Sequence, residues 1–162
     1  MKAPNTNYAS RLLLLAPVIF VCHFLEESRS FVHWFNGHVA RGITSELFWT
    51  VNISALVITL IVVGLHWLSR SGFSLALAIG WFSCLMLANA LFHIVGGIVD
   101  GQYVPGLVTA IVLYLPYYSW LFVEVVKSRQ VEIKVLVVVA ALGSLPMLIH
   151  GYLIIFRGSR LF

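Results

Sequence analysis

Leu12-Leu13-Leu14-Leu15-Ala16-Pro17-Val18-Ile19-Phe20-Val21-Cys22 carries no charge and runs directly into His23-Phe24-Leu25-Glu26-Glu27-Ser28. The first half reads as a membrane-spanning helix. The second half puts ionisable groups at its far end. A charge costs about 2.5–3.5 kcal/mol at mid-bilayer and less towards the headgroups. Two adjacent carboxylates there need a role. On a helix, His23 and Glu26 are three residues apart and His23 and Glu27 four, so all three can point into one sector.

The rest of the chain has the same character. Of its 162 residues 60% are hydrophobic and only 10% charged, with a mean hydropathy of +0.97. A soluble domain carries roughly a quarter charged residues. The chain therefore reads as a single transmembrane domain, an all-α bundle of five transmembrane helices. The spans fall near residues 10–28, 45–69, 73–99, 105–126 and 133–156. Pro17 is placed to kink the first, Ser45 to cap the second, and Pro105 to open the fourth. Residues 28–44 form a polar-aromatic connector expected to lie at the membrane interface as a short helix. The basic N-terminus before Leu12 resembles a signal peptide, but no small-residue cleavage site follows, so the segment reads as a retained span.

The net charge of +4 and isoelectric point near 9.3 come from basic residues scattered at span ends. They form no stripe or nucleic-acid module, which excludes that partner class. Lys2, Arg11, Arg70, Lys127, Arg129 and Lys134 fall on one side, against Arg29, Arg41, Arg157 and Arg160 on the other. The positive-inside rule then puts the N-terminus in the cytoplasm. Cys22 and Cys84 lie in apolar runs and read as packing residues.

Alternating the span directions brings further polar residues to the depth of the first motif. These are Asn52, Asn89, His93, Thr109 and His150, each one to two turns below the same surface at 1.5 Å per residue. Asn52 and Thr109 suit hydrogen bonds between helices. His66, at the opposite end of its span, reads as a satisfied packing residue, and Glu124 with Lys127 as a solvated pair. His33 and His38 belong to the connector, as surface or lid residues. The remaining set is His23, Glu26, Glu27, Asn89, His93 and His150.

Those residues carry a family resemblance. His23-Phe24-Leu25-Glu26-Glu27 resembles the signature of the HXXEE-motif family, small bacterial membrane proteins. Asn89-Ala90-Leu91-Phe92-His93, Tyr103-Val104-Pro105-Gly106 and His150-Gly151 look similar to its later landmarks. The resemblance implies a bacterial plasma-membrane protein and no particular activity.

The chemistry has to come from the side chains. His23, Glu27, His93 and His150 make a donor set suited to zinc or another borderline divalent ion with one open position. Glu26 is then placed as general base on a metal-bound water, and Asn89 as a ligand-orienting or oxyanion-binding amide. Six histidines and the absence of a Glu-x-x-His pair at that depth argue against di-iron chemistry. The leading expectation is a metal-dependent, hydrolytic membrane enzyme acting on a lipid-like or amphipathic molecule, with Phe31, Trp34 and Phe35 as a gate from the bilayer. One alternative is metal-free acid–base isomerisation by the same His and Glu residues. Another is a small proton-coupled transporter or binding protein, and a third is a purely structural role for the carboxylates.

Overall fold

The computed structural model describes residues 6–161; Lys2, weighed above for orientation, lies outside them. Five helices are long and apolar enough to cross a membrane: Tyr8–Glu27, Ser45–Ser69, Gly72–Asp100, Leu107–Ser128 and Ile133–Arg157. Each lies within a few residues of its expected range. Their outward faces expose Leu60, Ile61, Leu68, Val137, Val138 and Leu142, as lipid-facing surfaces do. The third span is the centre, and packs against spans two, four and five.

Local departures from straight α-helix follow from the sequence. The first span is two helices, α1 (Thr6–Leu13) and α2 (Ala16–Glu27). Pro17 at the start of α2 has no N–H and its ring clashes with the carbonyl four residues back, so the helix breaks there. The chain bridges the break with tightened bonds from Leu14 N to the Arg11 carbonyl and Leu15 N to the Leu12 carbonyl. The connector holds α3 (Phe31–His38). The second span is α4 (Ser45–Ser69), and its cap is Thr44 rather than Ser45: the Thr44 hydroxyl accepts from Leu47 N at 3.1 Å.

The third span joins α5 (Gly72–Phe82) to α6 (Asn89–Asp100) through a π-helical stretch, Ser83–Ala88. The fourth starts with a short turn, α7 (Leu107–Thr109), passes through a second π-helical stretch, Ala110–Tyr114, and continues as α8 (Leu115–Ser128). Pro116 follows that stretch and removes one donor from the ladder, which favours the wider turn. Pro105 lies before the helix instead of in it; Gly106, at φ +95°, makes the turn into Leu107. The fifth span is α9 (Ile133–Arg157). Its Gly143 lies against Gly80, so the two backbones approach closely. Ser144 there donates 2.8 Å to the Ala140 carbonyl and 3.3 Å to the Ser83 carbonyl at the start of the first π-helical stretch.

The main core gathers Phe20, Ile79, Phe82, Met86, Tyr114 and Leu121. A smaller cluster of Trp34, Phe35, Phe92, Val104 and Ile154 docks α3 onto the ends of spans three and five. Asp100 fastens it: its carboxylate accepts from Trp34 Nε1 at 2.7 Å and from His38 Nε2 at 3.0 Å. His38 Nδ1 also donates to the Trp34 carbonyl at 2.8 Å. Both partners of the ring are acceptors, so the imidazole is favoured doubly protonated. Burial pushes the His38 pKa down, but the Trp34 carbonyl and Asp100 outweigh it and raise it overall. His66 is satisfied at both nitrogens by Ser10 and Ser74, as a packing histidine should be. Glu124 and Lys127 pair at 2.7 Å.

Candidate metal centre

Successive residues on a helix diverge by about 100°, and this separates Glu26 from Glu27. Glu27 stays on the inward face with His23, one turn before it. Glu27 Oε1 lies 3.5 Å from His23 Nε2 and 3.1 Å from His93 Nε2. All three residues are buried, with both imidazoles fully so. Among the described residues they form the group whose His and carboxylate ligand atoms all lie within 4.8 Å of one another.

Thr109 decides the state of His23. Its hydroxyl lies 3.3 Å from the Gly106 carbonyl, which can only accept. The Thr109 oxygen is then the acceptor for His23 Nδ1–H, at 2.8 Å. In the neutral ring with its proton on Nδ1, His23 turns the lone pair of Nε2 towards Glu27 and His93. Among the described residues, neither His23 Nε2 nor either His93 nitrogen makes a protein hydrogen bond of good geometry. Two imidazole Nε2 atoms and a carboxylate oxygen thus converge on one buried point, an arrangement that suits a cation.

Glu26 does something else. Its two oxygens accept from Val108 N at 3.1 Å, Thr109 N at 2.8 Å and the Tyr103 hydroxyl at 2.6 Å. The first N–H groups of a helix have no partner within it, and the positive end of the helix dipole favours a carboxylate there. Glu26 therefore anchors the start of the fourth span, and the role of free general base expected of it does not fit this geometry. Burial, then the Glu26 hydrogen bond and charge, push the Tyr103 phenol up to about 12. Gly106 forms the floor of the centre. A Cβ there would stand 2.7 Å from His93 Cε1 and 3.0 Å from both Glu27 Cγ and His23 Cε1.

His150, expected as a fourth ligand, stands outside the ligand group. It stacks on Phe35 with ring centroids 6.5 Å apart and lines a cavity that Glu27 and Asn89 also border. Asn89 borders the cavity, and its Oδ1 is buried without a hydrogen-bond partner among the described residues. Asn52 lines the same cavity but donates to the Phe48 carbonyl of its own helix rather than to a neighbouring one. Thr109 does bridge helices, as expected. Its part in orienting His23 was not legible, because a lone Thr in a span carries no mark of what it faces. Tyr114 was missed altogether. Its ring lies tilted against His23 with centroids 4.1 Å apart, and its buried hydroxyl has no hydrogen-bond partner among the described residues.

A family model described as "Protein of unknown function with HXXEE motif" matches residues 14–121. The chain belongs to the HXXEE family. The matched stretch contains His23, Glu26, Glu27, His93, Gly106 and Thr109, while His150 lies beyond it. No curated protein and no solved structure matches the chain.

Proposed function

We propose that this HXXEE protein is a metal-dependent membrane enzyme, hydrolytic, with a zinc-class divalent ion held by His23, Glu27 and His93. The observation that carries this reading is the convergence of two imidazole nitrogens and one carboxylate oxygen on a buried point, with the His23 lone pair turned inward by Thr109. Two histidines and a glutamate are a known catalytic zinc set that leaves a fourth position for water or substrate. Metal–ligand bonds of about 2.0–2.1 Å put tetrahedral ligands about 3.3–3.4 Å apart. The contacts at 3.1 and 3.5 Å bracket that edge.

The ion supplies an acidified water. As water adds to the substrate's electrophilic centre and the leaving group's bond breaks, a proton must be handed to the leaving group. His150, on the wall of the cavity that Glu27 borders, carries that proton, and the Asn89 amide donates to the developing oxyanion. Glu26 and Thr109 are positioning residues. The cavity is walled by rings and lies inside a membrane bundle, which favours a lipid-like or amphipathic substrate drawn from the bilayer, with α3 at the interface as its cover.

Metal-free proton transfer by the same residues is the second reading. It is the less favoured because the Thr109 contact selects the His23 tautomer that offers Glu27 no proton. Elemental analysis of purified wild type beside His23→Ala, His93→Ala, Glu27→Gln and His150→Ala decides between them. The expected result is one ion per chain in wild type and His150→Ala and loss in the other three. Equal metal in all five, or none in wild type after zinc loading, overturns the ion.

A further inference from the structure

The cavity that Glu27 borders has a volume of about 360 Å³, within the range of small-ligand sites. Phe31, Phe35, Phe48, Phe92 and Met147 make it apolar. One cation interrupts that wall. Arg160 reaches it from the tail beyond the fifth span, and its Nη1 is buried with no hydrogen-bond partner among the described residues.

The position of Arg160 is set by the backbone. Gly158 ends α9 at φ +62°, and Ser159 N donates to the Leu153 carbonyl at 3.1 Å. The Gly158 carbonyl accepts from Ala40 N in the connector at 2.9 Å. The tail is thus tied down over the cavity beside α3. A guanidinium cannot shed its charge, and a buried N–H without an acceptor costs folding free energy. Glu27, the carboxylate on the same wall, is engaged with His23 and His93. An anionic ligand in the cavity supplies Nη1 with an acceptor.

We infer that this cavity takes a single-chain amphiphile, its apolar chain against the aromatic wall and a monoanionic group on Arg160. The guanidinium fork matches a carboxylate bidentately and balances its single charge. The inference deepens the enzyme reading, resting on it only for the claim that such a ligand meets an ion beside Glu27.

The test uses the full chain in zwitterionic nanodiscs, with a fluorescent long-chain carboxylate as reporter and dodecanoate, dodecanol and acetate as competitors. In wild type, dodecanoate should compete at least about tenfold better than dodecanol, the scale of one charge-assisted hydrogen bond, and acetate should not compete. Arg160→Gln should bring dodecanoate down to the level of dodecanol, and Arg160→Lys should restore part of the difference. An unchanged dodecanoate advantage in Arg160→Gln, no advantage in wild type, or equal competition by acetate overturns the inference. Metal content is measured on the same samples. An Arg160-dependent preference in protein that holds no metal refutes the enzyme reading alone; metal without the preference refutes this one alone.

Discussion

Replacing Thr109 by Val removes one hydroxyl at almost constant shape, and tests whether the His23 lone pair is set by its neighbour. The lost contact is the 2.8 Å bond from His23 Nδ1. His23 is fully buried, and loss of the hydroxyl takes away its Nδ1 partner. The ring then either leaves an N–H unsatisfied, at a cost of about 1–3 kcal/mol, or moves the proton to Nε2 and blocks the ion. Outer partners of metal-bound histidines are worth about 10–100-fold in affinity, which is about 1.4–2.8 kcal/mol. Zinc affinity measured against a competing chelator should fall by that factor in Thr109→Val and stay near wild type in Thr109→Ser. Nitrogen NMR of labelled histidine should report the Nδ1–H tautomer of His23 in wild type and Thr109→Ser and its loss in Thr109→Val. Wild-type affinity and tautomer in Thr109→Val would refute the reasoning.

Two other contacts carry outcomes of their own. Glu26→Gln should lower thermal stability by about 1–2 kcal/mol, the scale of a carboxylate at a helix N-terminus, while metal content stays unchanged. A variant with wild-type melting and no turnover would restore Glu26 as the base. The His38–Asp100 contact should make α3 docking depend on pH. The folded-state pKa of His38 is raised, so its contribution is complete below the ordinary value of 6.5 and is lost as pH rises through the raised value. Amide exchange in Phe31–His38, corrected for intrinsic rate, should accelerate across that window in wild type and not in Asp100→Asn; a flat wild-type profile contradicts the assignment.

The five spans were legible because a membrane imposes one simple demand. Every backbone polar group must be satisfied within its own helix, so each crossing writes a long apolar run into the chain. The face shared by His23 and Glu27 was equally legible, since i and i+4 are neighbours on any helix. The common depth of Asn52, Asn89 and His150 also follows from counting residues, and all three line one cavity.

Which groups meet was decided only by the tertiary structure. Helical periodicity cannot say which neighbour lies opposite each face. The fourth span offers its unpaired N–H groups to Glu26, which turns the outer carboxylate of the pair into an anchor and leaves the inner one with the imidazoles. Gly106 lets the turn into that span lie against the centre with no side chain between. Span rotation brings His93 to Glu27 and leaves His150 on the cavity wall. Depth is a sum along one chain and can be counted from sequence; rotation depends on how helices pack, and few residues in an apolar span record it.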